Sequence, residues 1–73
     1  MRITIVPIGL IKKYASAGPL DVPDGTTPGA LIERLAIPTR LKMVAYVNGK
    51  RRALEEPLSA GDEVKLVTLL TGG

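Results

Sequence analysis

Apolar and polar residues alternate along the first part of the chain with a period of two. Met1, Ile3 and Ile5 are separated by single polar residues, and successive side chains of a β-strand point to opposite faces. This pattern predicts a first strand. Pro7 cannot donate to a sheet ladder, so the strand is expected to end or to meet a sheet edge there. The stretch 10–18 shows no period and is interpreted as a loop or a long hairpin connection.

A second, shorter strand is predicted where Leu20 and Val22 flank a polar residue. Residues 23–25 have the Pro-Asp-Gly sequence of a tight turn, because proline presets φ and glycine accepts a positive φ. A helix is then expected to begin with Thr27 as its N-cap and Pro28 in its first position, where a missing N–H costs nothing.

The predicted helix has one apolar face, formed by Leu31, Ile32 and Leu35. Pro38 is expected to close it, because the residue before a proline avoids the helical region. The helix would have only about two to three turns, too few for stability without packing on a sheet.

A hairpin is predicted in the second half of the chain. Residues 43–47 are rich in β-forming residues, and Asn48-Gly49 follows them. Asn-Gly is the strongest short hairpin signal, so 50–52 should begin the return strand. Leu54 and Leu58 are expected to fill the core from an irregular segment.

The last strand is predicted over 64–70. Val64 and Leu66 would share one face, and Val67 would lie on the other. Residues 71–73 have no core-forming side chain and are expected to form a flexible tail.

These elements together predict one α+β domain over 1–73. The order is strand, strand, helix, strand, short strand, strand, with the helix on one face of a mixed sheet. The first and last strands are well placed to pair at the centre of the sheet. A chain of 73 residues has room for one small domain.

The composition removes several classes of chemistry. The sequence has no cysteine and no histidine, so disulfides, ordinary zinc and iron–sulfur sites and the commonest general base are excluded. No bound cofactor or metal is therefore expected. No run is long enough to span a membrane, and a soluble cytoplasmic domain is expected. Net charge is +3, but two tyrosines offer little stacking for bases, so a nucleic acid is not expected as a partner.

The end of the chain carries the best candidate chemistry. Glycine has no Cβ, so Gly72 and Gly73 could thread a narrow channel in another protein. The α-carboxylate of Gly73 would resist nucleophiles until ATP converts it to an acyl-adenylate, from which a sulfur or nitrogen nucleophile displaces AMP. An activating enzyme would supply the catalytic groups that the chain lacks.

Five segments make the sequence resemble the ThiS/MoaD family of sulfur carriers, which are relatives of ubiquitin. They are the entry to the helix at 20–27, the helix at 31–35, the hairpin at 47–49, the Leu-x-x-Gly-Asp-x-Val turn at 58–64, and Gly72-Gly73. The hairpin and the turn also occur in other β-grasp domains, notably TGS domains, and so indicate fold. The two terminal glycines indicate function.

The resemblance implies a β-grasp fold with a four- to five-stranded mixed sheet and one main helix. It also implies a non-catalytic carrier. An adenylating enzyme of the ubiquitin-activating type would use ATP on Gly73, and a thiocarboxylate would follow, with Gly72 and Thr71 threading the tail. The length of segment 5–18 is closer to that of the small subunit of molybdopterin synthase. Sulfur would then pass to the molybdopterin precursor in the large subunit of the synthase.

Three alternatives stay open at this level. The chain could be a thiamin-pathway sulfur carrier, or a ubiquitin-like modifier joined through Gly73 to target lysines. It could also be a TGS-like binding module without tail chemistry.

The residues beside the tail are candidates for partner binding. Val67, Leu69 and Leu70 cannot all face a core on one side of a strand. Either both faces of a central strand are buried, or these residues form an exposed apolar patch that docks the activating enzyme or the synthase subunit. Arg51 and Arg52 would assist docking electrostatically.

Overall fold

The structure is a computed structural model that describes residues 1–38 and 41–69. Its five strands are β1 Arg2–Pro7, β2 Gly18–Asp21, β3 Met43–Val47, β4 Lys50–Arg52 and β5 Glu63–Thr68. A 3-10 helix spans Gly9–Lys13, and one α-helix, α1, spans Pro28–Arg34. The strands follow the predicted order.

The five strands form one mixed sheet in the order β2-β1-β5-β3-β4. β5 is the central strand. It runs parallel to β1, with Ile5 opposite Val64, and antiparallel to β3, with Ala45 opposite Leu66. The prediction that the first and last strands pair at the centre is confirmed.

The core lies between α1 and one face of this sheet. Leu31 of α1 is fully buried against residues from the three central strands, among them Ile3, Leu66 and Val47. Burial of these aliphatic side chains is the main favourable term in folding. One helix on one face of a five-stranded mixed sheet is the predicted β-grasp, α+β fold.

The start of α1 is as predicted, but its end is not. The Thr27 side chain accepts a hydrogen bond from the Ala30 N–H at 3.0 Å, which caps the helix. The helix ends at Arg34, before Pro38 can act. Ala36 has φ of 57°, in the left-handed region. The Ala36 N–H bonds to the Glu33 carbonyl and the Ile37 N–H to the Ile32 carbonyl, which together form a Schellman motif.

The stretch predicted as a loop contains the 3-10 helix. Ile11 within it is fully buried and belongs to the core, whereas its neighbour Leu10 is 46% exposed. A five-residue 3-10 helix has no 3.6-residue period and a single buried residue, so hydrophobic periodicity does not reveal it.

The hairpin between β3 and β4 is confirmed. Asn48 and Gly49 both have positive φ, at 53° and 84°. Two consecutive residues in this region make a type I′ turn, whose twist matches that of the flanking strands.

Candidate functional site

The central strand leads directly to the end of the chain. β5 is paired on both sides, and the Leu69 N–H then donates to the Lys42 carbonyl at 2.8 Å, one residue beyond the strand. The fold therefore fixes the chain as far as Leu69. The predicted tail residues Thr71, Gly72 and Gly73, and the predicted patch residue Leu70, lie outside the described residues.

The face of the sheet opposite α1, which we call the open face, carries apolar side chains near the end of β5. Leu66 is buried in the core, so its neighbours Val67 and Leu69 project to the other face. Val67 is half-buried and sits opposite Val44 of β3. Leu69 is 50% exposed. The structure thus places both predicted residues on one face, with Leu69 the more accessible.

Two further residues at this end of the sheet were missed from the sequence. Ile8 is 37% exposed, and its N–H bonds to the Leu66 carbonyl at 3.1 Å, which continues the parallel pairing of β1 with β5. The same register places Ile8 next to Val67 on the open face. Leu10 is exposed at the start of the 3-10 helix. The only available signal was that both are large apolar residues in a segment of no clear period.

We call Ile8, Val67 and Leu69 the exit patch. Its members are the accessible apolar residues of the open face nearest to the end of β5. An exposed apolar cluster of this kind is suited to contact with another protein.

Arg51 and Arg52, predicted to act together, are separated by the pleat of β4. Arg51 pairs with Tyr46, which on its other side pairs with Lys65. These three side chains form a row on the open face. Arg52 projects to the opposite face, where its Nε lies 3.7 Å from a carboxylate oxygen of Glu56. Only Arg51 is therefore placed to act on the same face as the exit patch.

The aspartate of the Leu-x-x-Gly-Asp-x-Val turn, Asp62, makes hydrogen bonds that stabilise the fold. Asp62 is almost fully buried; its carboxylate accepts from the Ser59 N–H at 2.8 Å and from Asn48 Nδ2 at 2.9 Å. The Glu63 N–H donates to Asn48 Oδ1 at 3.0 Å. We call this set the turn clip. It joins the hairpin turn to the start of β5, at the end of the strand remote from the exit patch.

An exposed ion pair lies at the β2 side of the sheet. Arg2 Nε donates to Asp21 Oδ1 at 3.1 Å. This hydrogen bond, followed by the Coulombic attraction of the guanidinium, lowers the pKa of Asp21 and raises the pKa of Arg2. The pair is remote from β5's C-terminal end and serves the β1–β2 pairing.

Neither a metal cluster nor a membrane-spanning helix is found in the part of the chain that the structure describes. Within 1–38 and 41–69, no group of three or more acidic, histidine or cysteine residues is arranged to hold a metal ion. In the same ranges, none of the helices has the length and apolar character needed to cross a bilayer.

Comparison with known proteins identifies the family. The ThiS family profile matches residues 11–73, and the chain therefore belongs to the ThiS family. Small ubiquitin-like proteins of this kind are generally non-catalytic carriers that work with E1-like activating enzymes. No protein with curated function matches the chain by sequence.

Solved structures of archaeal proteins share the fold. SAMP1 from Haloferax volcanii matches with a TM-score of 0.75 at 21% identity over 100% of both chains. A second crystal structure of this small archaeal modifier protein 1 matches at 0.70 and 21% identity, over 89% of this chain and 93% of that one. The ubiquitin of Caldiarchaeum subterraneum matches at 0.64 and 26% identity, over 100% of this chain and 98% of that one. These similarities support the β-grasp fold.

Proposed function

We propose that this protein is a sulfur carrier whose Gly73 carboxylate is adenylated and then converted to a thiocarboxylate. The observation that carries the proposal is the ThiS family match, which extends through residue 73. The fold supports it, because the central strand holds the chain as far as Leu69, and Leu69 lies at the surface of the domain.

The proposal requires residues 70–73 to deliver the Gly73 carboxylate to a partner. Residues 70–73 span at most about 14 Å when extended. With that reach, Gly73 would enter a channel in the partner while the folded domain stays outside. Two glycines keep the last part of the thread narrow, because neither carries a Cβ.

The proposed reaction has two steps. The Gly73 carboxylate attacks the α-phosphate of ATP, which gives an acyl-adenylate and releases pyrophosphate. A sulfur nucleophile at the oxidation level of hydrosulfide then attacks the acyl carbon. AMP leaves with the bonding electrons, and a thiocarboxylate remains. Both steps use groups of the activating enzyme. This division of labour is consistent with a carrier that has no histidine or cysteine.

Intact-mass spectrometry tests the proposal. The protein is incubated with its adenylating enzyme, ATP and hydrosulfide, and we expect a product heavier by about 16 Da, the difference between sulfur and oxygen. Fragmentation should locate the change at Gly73. A variant that lacks Gly72 and Gly73 is the control: it should fold as the wild type does and gain no mass. If only unmodified protein is recovered with an enzyme that forms the adenylate, sulfur transfer is refuted.

The final sulfur acceptor is a finer proposal. We propose the molybdopterin precursor, with the large subunit of molybdopterin synthase as partner, because segment 5–18 resembles that of the small subunit. Thiocarboxylated protein should then yield molybdopterin when combined with that large subunit and the precursor. Formation of thiamin thiazole, and no molybdopterin, would move the assignment to the thiamin pathway.

Protein modification is the second candidate. It is favoured by the similarity to the Caldiarchaeum subterraneum ubiquitin, at 26% identity over nearly all of both chains. The same acyl-adenylate would react with a lysine amine of another protein. Trypsin cleaves after Lys65, so the diagnostic remnant on a target lysine is residues 66–73. Such remnants in a digest of cell protein would support modification, and their loss in the Gly72-Gly73 deletion would confirm their source.

The same deletion separates both candidates from a TGS-like binding module. A module without tail chemistry should keep its cellular function when Gly72 and Gly73 are removed. A carrier or a modifier should lose it completely. Membership of the ThiS family favours the second outcome.

Docking to the activating enzyme is proposed to use the exit patch, together with Leu70 and Arg51. The patch lies where the tail begins, so a partner that covers it also receives the tail. Arg51 and Lys65 add positive charge on the same face and would speed association with an acidic partner surface. Arg52, on the opposite face, is not included in this surface.

A further inference from the structure

One edge of the sheet is incompletely paired. β4 has three residues and pairs only with Ala45–Val47 of β3. The first part of β3, Met43 and Val44, has no partner on that side among residues 1–38 and 41–69. A stretch of β3 backbone is therefore left at the edge of the sheet.

The register shows which backbone groups point to this edge. On the β5 side, the Asn48 N–H bonds to the Glu63 carbonyl and the Lys42 carbonyl accepts from Leu69. Even-numbered residues of this strand thus bond to β5, since bonding alternates along an antiparallel ladder. The N–H and carbonyl of Met43 consequently point to the open edge, where a further strand could pair with them.

The other edge of the sheet does not offer the same opportunity. Met1 and Val22 exchange both backbone bonds, at 2.7 and 2.8 Å, so alternation turns Pro19 outward on β2. Proline has no N–H to donate, and such a residue protects an edge from strand addition. An added strand would therefore find a donor beside β3 and β4 and none at Pro19.

A depression of about 450 Å³ lies at the open edge. Met43 and Leu54 provide its apolar walls. After Ala53 the chain turns away from the direction of β4, so it does not pair with Met43. Leu54 is half-buried and packs on the core from the side. An apolar side chain of an added strand would occupy this depression.

The rim of the depression is basic. Arg51 and Arg52 both line it, one on each face of the sheet. The contact between Arg52 and Glu56, at 3.7 Å, is too long for a strong hydrogen bond, so a better-placed carboxylate could replace Glu56. Two copies of this chain would place Lys50, Arg51 and Arg52 against each other, which disfavours self-pairing at this edge.

We propose that this edge binds an extended acidic segment of a partner protein as a sixth strand. The segment pairs with the outward-facing backbone of Arg51 and, where β4 ends, steps inward by one strand spacing to reach the backbone of Met43. It carries two adjacent acidic residues, which meet Arg51 and Arg52 on opposite faces, and an apolar residue that enters the depression between Met43 and Leu54. The depression lies apart from the exit patch, and Arg51 is the one residue that the two proposed surfaces share.

A short peptide, acetyl-Val-Leu-Asp-Asp-Leu-Val-amide, tests the proposal by two-dimensional NMR of the full ¹⁵N-labelled chain. We expect saturable amide shifts at Met43, Val44 and Arg51, and slower hydrogen exchange of the Met43 N–H. The matched peptide with two lysines in place of the aspartates should not bind. Absence of saturation with the acidic peptide at about 1 mM, a very weak affinity limit, overturns the proposal.

Paired charge reversals provide the variant control. Arg51→Glu with Arg52→Glu should weaken binding of the acidic peptide at least about tenfold. Lys12→Glu with Lys13→Glu makes the same change in net charge on the 3-10 helix and should leave affinity within about twofold. Equal losses in the two double variants would show that only net charge matters and would overturn the site.

A backbone variant tests strand addition itself. Met43→Pro removes an N–H that points to the edge and is not used in the pairing with β5. If the variant keeps the wild-type spectrum, peptide affinity should fall at least about tenfold, and unchanged affinity overturns strand pairing. If it does not fold, the exchange rate of the Met43 N–H in the wild-type complex decides, since an unprotected amide excludes an added strand. Shifts confined to Ile8, Val67 and Leu69 would assign the peptide to the exit patch and also overturn the proposal.

Discussion

Asp62 connects two turns of the chain through its two carboxylate oxygens. One oxygen accepts from Asn48 Nδ2 and the other from the Ser59 N–H. The sequence predicted a hairpin turn at 48–49 from a local signal, and its resemblance to a known family indicated a turn within 58–64. It did not predict that Asp62 joins them, because the two segments are distant along the chain and only the folded sheet brings them together.

Asp62→Ala should therefore destabilise the protein by about 2–3 kcal/mol, because it leaves two donors without their acceptor in a nearly buried site. Urea denaturation would measure the loss. Asp62→Asn keeps the shape and one acceptor and should cost less. Glu55→Ala, an exposed acidic residue, is the control and should change stability by less than about 0.5 kcal/mol. Equal effects of Asp62→Ala and Glu55→Ala would contradict the role of the turn clip.

Ala36 is strained by the way α1 ends. Its φ of 57° brings Cβ close to the backbone, a cost of about 1–2 kcal/mol that glycine does not bear. Glycine loses more entropy on folding, by about 0.5–1 kcal/mol. Ala36→Gly should therefore stabilise the protein by about 0.5–1 kcal/mol, measured as a higher urea midpoint with an unchanged m-value. Ala30→Gly, inside the helix, is the matched control and should destabilise it.

At the scale of elements, the sequence predicted those with a strong local signal. The alternation of β1, the Thr27-Pro28 start of α1 and the Asn48-Gly49 hairpin each have a local physical cause, and each is confirmed. The predicted end of α1 was wrong. Pro38 is a conspicuous signal in the sequence, whereas no sequence signal marks an alanine in the left-handed region. The 3-10 helix was missed because its position depends on contact with the core.

That contact makes a testable difference between two neighbouring residues. Ile11→Ala should cost about 2–4 kcal/mol, because it leaves a cavity in a fully buried site. Leu10→Ala removes a side chain of similar size that is 46% exposed, and it should cost less than about 1 kcal/mol. Thermal unfolding of both variants measures the contrast. If this segment were a simple surface loop, both substitutions would lower stability by similar, small amounts, and that result would contradict the structure.

At the scale of the whole molecule, the two faces of the sheet have different roles. One face binds α1 and holds the domain together, and the other carries the exit patch and the row of Arg51, Tyr46 and Lys65. The sequence placed Val67 and Leu69 beside the tail but left open whether they were core or surface. Only the pairing of β5 with β1 and β3 decides this, and it also brings Ile8 to the patch from the far end of the chain.

This division predicts opposite outcomes for one substitution at two positions on the same segment. Leu69→Glu should leave stability within about 0.5 kcal/mol, because the side chain is half exposed and lies outside the core. It should lower kcat/KM for adenylation of Gly73 at least about tenfold, because a charge enters an apolar docking surface. Leu66→Glu should unfold the domain, because it buries an unpaired carboxylate in the core. Circular dichroism and pyrophosphate release, measured on both variants, separate the two effects. A Leu69→Glu variant that unfolds would make this residue part of the core, whereas one that folds and is adenylated normally would place the docking surface elsewhere on the molecule.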